Sequence, residues 1–274
     1  MLHKIIPLRD DETEYRFMPT MKTYILDTSE VDFERPSVVI CPGGGYQHVS
    51  YREAERVALS YNAAGFHSFV VTYAVAPHKH PEPIKNIAKA IEIVRENAVK
   101  WHLDSNKIAV CGFSAGGHLA ASISSLWNDE TIFTKEEIAE EKHKPNGTIL
   151  AYPVITSGEF AHKGSFKNLI GPDETDELWG KLSLETRVHK GTPPAFLWHT
   201  YEDAAVPVEN TLLYVNALRK ENIPFELHVF PNGGHGLSLV SNETVWSIPL
   251  FKRDYPWHEL SVEWLKELFN LIPV

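Results

Sequence analysis

Short apolar runs alternate along this chain with longer segments whose apolar residues recur every three or four positions. The runs at residues 23–26, 37–41, 68–73, 107–111, 147–152, 195–199 and 225–230 read as strands. The intervening segments read as amphipathic helices. Residues 53–62 place Ala54, Val57, Ala58 and Tyr61 on one face, and residues 84–100 do the same with Ile84, Ile87, Ala88, Ile91, Val94 and Ala98. Residues 208–221 follow Pro207, a good first-turn residue, and carry Leu212, Val215 and Leu218. Residues 258–271 carry Leu260, Trp264, Leu265, Leu268 and Leu271, and a further helix is expected from Ala115 through Leu119, Ile123 and Leu126. Alternating strands and helices predict an α/β architecture, a mostly parallel central sheet with helices on both faces. In such sheets ligands bind beyond the carboxyl ends of the strands. The long connection 156–190 is charged, with apolar residues scattered at Phe160, Phe166, Leu169, Ile170, Leu178 and Trp179. It predicts a small polar cap inserted into a single domain covering residues 1–274.

Composition narrows the function classes. The 274 residues are 43% hydrophobic and 23% charged, enough for one large core. A net charge of −10 with no basic stripe argues against nucleic acid as a partner. No run approaches the roughly 18 apolar residues of a membrane span, so no membrane partner is expected. The first residues, MLHKIIPLRDDETEYRF, hold one short apolar patch broken by Pro7 and then turn acidic, unlike a secretory leader. Two cysteines, Cys41 and Cys111, make no disulfide framework and are expected as free thiols. A cytoplasmic location is expected from these features.

The chemistry concentrates in the loops after four strands. Gly112-Phe113-Ser114-Ala115-Gly116 is a G-x-S-x-G pattern at a strand-to-helix junction. Its glycines remove side chains where backbone must approach backbone. It reads as a nucleophile elbow, or as a Gly-rich turn with a helix-capping serine. Pro42-Gly43-Gly44-Gly45-Tyr46 can aim backbone N–H groups at an oxyanion or be a plain turn; it fits neither G-x-G-x-x-G nor a Walker lysine loop. Glu202 and Asp203 precede a helix, where an acid is also favoured electrostatically. His235 sits in Pro231-Asn232-Gly233-Gly234-His235-Gly236, one of fourteen histidines. Singly each is weak. Together, Ser114, Asp203 and His235 follow the chain order of α/β-hydrolase triads, each just past a strand, with Glu202 as the runner-up acid.

At these residues the chain resembles the α/β-hydrolase superfamily. It looks most like the small esterases that include acetyl esterases and acetylxylan esterases, near the hormone-sensitive-lipase-like and feruloyl-esterase-like branches. The match is carried by PGGGY at 42–46, CGFSAGGHLAA at 111–121, AYPVI at 151–155, PPAFLWHTYEDAAVP at 193–207 and FPNGGHG at 230–236. Two positions depart: Pro42 stands where the lipase-like branch has histidine, and Thr200 where the acid loop often has glycine. The resemblance implies an α/β-hydrolase fold and an oxyanion hole from the amides of Gly44, Gly45 and Ala115. It implies catalysis by Ser114, His235 and Asp203 with no cofactor or metal. The expected substrate is a small-molecule ester, with acetyl removed from a sugar or small alcohol. The alternatives are an arylformamidase or small-peptide hydrolase using the same triad, and a catalytically silent binding protein.

Other candidates read as structural. His118, one helical turn after Ser114, is expected to face packed structure near the elbow. His78-Lys79-His80, among prolines, is read as a solvated loop rather than a metal site. Trp127, Trp179, Trp246 and Trp257 are assigned to core or cap packing rather than sugar stacking.

Overall fold

The computed structural model describes residues 1–9, 18–29, 32–172, 175–241, 244 and 255–271; Trp246 lies outside them. Among the described residues eight strands form one sheet: β1 (Ile5–Pro7), β2 (Thr20–Tyr24), β3 (Arg35–Cys41), β4 (His67–Thr72), β5 (Leu103–Phe113), β6 (Gly147–Ala151), β7 (Ala195–Thr200) and β8 (Phe225–Phe230). Their order is β1-β2-β4-β3-β5-β6-β7-β8. The β1–β2 and β2–β4 pairs are antiparallel, and every pair from β4 through β3 to β8 is parallel. The helices are α1 (Glu55–Ala63), α2 (Glu82–Glu96), α3 (Ala98–Trp101), α4 (Ala115–Leu126), α5 (Lys135–Glu140), α6 (Lys163–Ile170), α7 (Asp176–Lys181), α8 (Glu209–Lys220) and α9 (Trp257–Leu268). None is long and apolar enough to cross a membrane.

The central strands are continuous apolar runs because both faces are covered. Alternate residues feed two cores. Val39, Cys41 and Val110 join Ile87, Ile91, Leu119 and Tyr214 on the face of α2, α4 and α8. Val38, Ile40, Ala109 and Cys111 join Val57, Tyr61 and Leu265 on the face of α1 and α9. Cys41 and Cys111 therefore belong to neighbouring strands but opposite faces.

The structure departs from the sequence reading in four places. The helix expected over 84–100 is two, α2 and α3, parted at Asn97, whose side-chain amide donates to the Ile93 carbonyl at 2.8 Å. Strand β1 is three mostly exposed residues, too short to show alternation. Residues 156–190 do more than form a polar cap: Phe166, Leu169, Ile170, Leu182 and Leu184 are buried in the larger core. The first three sit at i, i+3 and i+4, so residues scattered in sequence share one face of α6. His78, Lys79 and His80 are half-buried rather than solvated. The His80 N–H donates to the Leu169 carbonyl at 2.7 Å, and burial pushes its imidazole down to about 4.

Candidate active site

Ser114 occupies the single residue between β5 and α4, with φ +53° and ψ −119°. A non-glycine residue in this region stores roughly 1–3 kcal/mol of strain. Hydrogen bonds hold it there: its N–H donates to the Ala151 carbonyl at 3.0 Å, and its carbonyl accepts from the N–H of His118 at 3.1 Å and of Val154 at 3.0 Å. The small neighbours are sterically required. A Cβ on Gly112 would lie 2.2 Å from the Gly116 carbonyl oxygen, and one on Gly116 would lie 2.1 Å from that of Cys41.

The turn points the Ser114 hydroxyl at the imidazole of His235, with Oγ 2.7 Å from Nε2. On the other side of the ring Nδ1 lies 2.6 Å from Oδ2 of Asp203. With Nδ1 donating to the carboxylate, Nε2 is left to accept the serine proton. Asp203 is 4% exposed, and its Oδ1 accepts the N–H groups of Ala205 at 3.0 Å and Val206 at 2.9 Å. Burial acts to raise its carboxyl. The hydrogen bonds from His199, His235 and the Val206 amide outweigh that and hold it well below the usual carboxylate range. It is therefore ionised at any working pH, able to orient the ring and stabilise an imidazolium. Glu202, the alternative acid, accepts instead from the Asn232 side chain at 3.1 Å and the Gly233 N–H at 3.2 Å. Thr200 donates to the Gly233 carbonyl at 2.8 Å, so the residue that departs from the family's glycine ties the acid loop to the histidine loop.

The glycine loop flanks the serine. Gly44 and Gly45 have φ of +125° and +64°, and a Cβ on Gly44 would collide with the His48 carbonyl at 2.0 Å. The N–H groups of Gly44, Gly45 and Ala115 donate to no described group. Their carbonyl sides are anchored: Gly44 accepts from Gln47 at 3.0 Å, and Gly45 accepts from the Asn168 side chain at 2.9 Å. A serine nucleophile, an oriented base and spare backbone donors are the parts that acyl transfer needs.

Residues 24–218 match the family BD-FAE. The chain belongs to the BD-FAE family. Its likeness extends beyond the matched span. It is 38% identical over 236 residues to "Endo-1,4-beta-xylanase B" of Butyrivibrio fibrisolvens, covering 85% of this chain and 36% of that one. It is 33% identical over 215 residues to "Acetylxylan esterase" of Xylanibacter ruminicola, covering 75% and 42%. The chain thus spans about two fifths of the length of these relatives. Among solved structures, an acetyl ester-xyloside bifunctional hydrolase from Caldicellulosiruptor lactoaceticus superposes with a TM-score of 0.85 at 38% identity, covering 98% of this chain and 97% of that one. This BD-FAE chain therefore has the α/β-hydrolase fold that its sheet order describes.

Several side chains of the BD-FAE site escape a reading of the sequence. His199 is fully buried, with Nε2 2.9 Å from the Val206 carbonyl and 3.4 Å from Asp203 Oδ2, and Nδ1 2.7 Å from Thr211 Oγ1. It sits four residues before Asp203 at the end of a strand, where periodicity alone says only that it faces the core. Glu53 and Tyr152 contact the glycine and histidine loops. Glu53 resembles any acid at a helix start, and no local signal separates it. His118 is buried as expected: Nδ1 accepts from Tyr46 Oη at 2.9 Å and Nε2 donates to the Leu182 carbonyl at 2.9 Å. The described tryptophans pack. Trp179 stacks on Phe166, Trp257 on Trp198, and Trp127 donates to the Gly191 carbonyl at 3.2 Å.

Proposed function

We propose that this chain is a serine ester hydrolase that removes short acyl groups, acetyl foremost, from a sugar or other small-molecule ester. The observation that carries the reading is the unbroken line Asp203–His235–Ser114, at 2.6 and 2.7 Å, beside three unused backbone donors. Ser114 attacks the ester carbonyl as His235 takes its proton, and Asp203 steadies the imidazolium. The amides of Gly44, Gly45 and Ala115 hold the oxyanion, each contributing on the order of 3 kcal/mol of barrier lowering. His235 then protonates the leaving alcohol, and water releases the acyl group by the same base.

The relative named acetylxylan esterase and the solved acetyl ester-xyloside bifunctional hydrolase support an acetylated sugar as the substrate here. We read the chain as one domain, with residues 156–190 as a cap whose inner face joins the core. The location we infer is cytoplasmic. Both cysteines are free and lie on opposite faces of the sheet, which suits a reducing compartment.

The test is a substrate panel with Ser114→Ala and His235→Ala as controls. It comprises p-nitrophenyl esters from acetyl to octanoyl, acetylated xylo-oligosaccharides, N-formyl arylamines and peptide amides. Acetyl esters should turn over fastest, kcat/KM should fall steeply toward octanoyl, and both variants should lose nearly all activity. Preference for the formamide or the peptide would replace the ester reading. Wild-type turnover by Ser114→Ala would remove the triad.

A further inference from the structure

Glu53 takes no part in the chemistry above, yet it is a carboxylate only 3% exposed. It closes the single 3-10 turn Tyr51–Glu53 ahead of α1. Both of its oxygens are engaged across the fold. Oε2 accepts the Gly43 N–H at 2.8 Å, and Oε1 accepts the Tyr152 hydroxyl at 2.8 Å. Tyr152 Oη in turn accepts the Ser238 N–H at 2.8 Å. The Tyr152 ring stands edge-on to the His235 ring, centroids 5.1 Å apart at 73°. Ser238 Oγ closes the circuit by donating to the Arg52 carbonyl at 2.8 Å. One buried acid thus joins the glycine loop, the turn after β6 and the loop carrying His235.

Burying a carboxylate is costly unless its oxygens are bonded, and an apolar side chain would fill the same space more cheaply. The position of its partners says what the charge does. Gly43 immediately precedes the two glycines whose amides are unused. With the Gly43 N–H taken up by Glu53, the next two amides are the ones the loop leaves unused. Gly43 is also wedged in place: a Cβ there would lie 2.8 Å from Glu53 Oε2, 2.9 Å from the Phe113 carbonyl oxygen and 3.0 Å from Ser114 Cβ. A shift of Glu53 would therefore be passed to the elbow through near-contact rather than absorbed in a void.

We propose that Glu53 is a positioning residue, locking the Gly44 and Gly45 amides in register with Ser114 and His235 through Gly43 on one oxygen and Tyr152 with Ser238 on the other. This rests on the ester-hydrolase reading. Misplaced oxyanion donors weaken the transition state more than the bound ester, so the defect belongs in kcat. Glutamine's one acceptor oxygen can keep the Gly43 N–H, but its NH₂ can meet Tyr152 Oη only as a donor, which reverses that bond and leaves the tyrosine proton without its acceptor.

The experiment measures kcat and KM for p-nitrophenyl acetate in wild type, Glu53→Gln and Tyr152→Phe, with kcat expressed per active site titrated by a fluorophosphonate, and Tm recorded alongside. Glu53→Gln should lower kcat roughly 10- to 100-fold with KM within threefold. Tyr152→Phe keeps the ring but loses the hydroxyl, and should lower kcat roughly 5- to 20-fold. A purely structural role predicts instead a lower Tm with wild-type kcat per titrated site. That result, or a loss confined to KM, overturns the proposal. If Glu53→Gln fails to fold, Tyr152→Phe decides by the same readout. A wild-type protein that neither hydrolyses esters nor labels would sink the ester reading and this inference together. Active wild type with unchanged variants would sink this inference alone.

Discussion

Exchanging Asp203 for asparagine tests the triad at the point where the surroundings leave the new side chain least choice. The carboxylate has two duties. Oδ1 accepts two backbone N–H groups, at 3.0 and 2.9 Å, and Oδ2 accepts from His235 at 2.6 Å. Asparagine has one acceptor oxygen. If that oxygen faces His235, its NH₂ confronts the Ala205 and Val206 amides, leaving the buried Val206 donor unsatisfied at about 1–3 kcal/mol. If it faces the amides, the NH₂ donates to His235 Nδ1 and forces the proton onto Nε2, where it blocks the base. The second arrangement also sets the NH₂ near His199 Nε2, but at 3.4 Å that contact is the weaker one. The competent arrangement is therefore disfavoured by about 1–3 kcal/mol, or roughly 5-fold to 160-fold at about 1.36 kcal/mol per tenfold. The lost charge beside the imidazolium adds to this, and the same exchange in a serine-protease triad lowers kcat by about 10⁴. Asp203→Asn should thus lose at least about 10³ in kcat on p-nitrophenyl acetate, with near-native circular dichroism because the side chains are isosteric. Glu202→Gln, which disturbs only contacts to Asn232 and Gly233, should stay within about tenfold. An Asp203→Asn enzyme losing less than 30-fold, or a larger loss in Glu202→Gln, would refute the assignment.

Three further outcomes follow from the same geometry. Burial pushes His118 down to about 4 from an ordinary value of 6.5, so it folds neutral. Its contribution is complete above pH 6.5 and is lost as pH falls from there to about 4, by about 3.4 kcal/mol in all and about 2 kcal/mol by pH 5. Urea titrations at pH 7.5 and 5 should show His118→Gln losing about 2 kcal/mol less than wild type between them; equal losses would contradict a neutral buried imidazole. Gly116→Ala drives a Cβ to 2.1 Å from the Cys41 carbonyl oxygen and 2.3 Å from that of Pro42, so it should aggregate or lose about 3 kcal/mol or more. Gly180→Ala, in α7 with nothing within 4 Å, should be neutral or gain about 0.5–1 kcal/mol, and equal thermal shifts in the two would refute the elbow argument. Ellman titration should find two thiols in denatured, unreduced protein and almost none in the folded protein, because Cys41 and Cys111 are fully buried and burial raises both thiols. Finding no thiol after denaturation would overturn the free-cysteine reading.

Much of this protein was legible in its local pattern. Apolar runs such as 37–41 and 107–111 specify strands because both faces of a parallel sheet exclude water, and the i, i+3, i+4 spacing in α2 and α9 specifies a face for each helix. The elbow was legible too, because glycine at 112 and 116 answers a local steric demand. Ser114, Asp203 and His235 group from the sequence alone, since parallel strands bring their carboxyl ends to one edge whatever the loops between them contain.

What the tertiary structure decided is the identity of the partners. Asp203 rather than Glu202 meets His235 because the Ala205 and Val206 amides turn its carboxylate inward while Gly233 and Asn232 draw its neighbour away. Phe166, Leu169 and Ile170 became core because α6 lies against the sheet's larger cluster, which charge-rich sequence around them does not announce. Glu53 is an ordinary acid in sequence; its bonds reach across ten residues to Gly43 and ninety-nine to Tyr152. Periodicity records only which side of an element faces the core. A buried polar group is satisfied by whatever donor the fold delivers from far along the chain, and that pairing exists only once the sheet has closed its loops over one another.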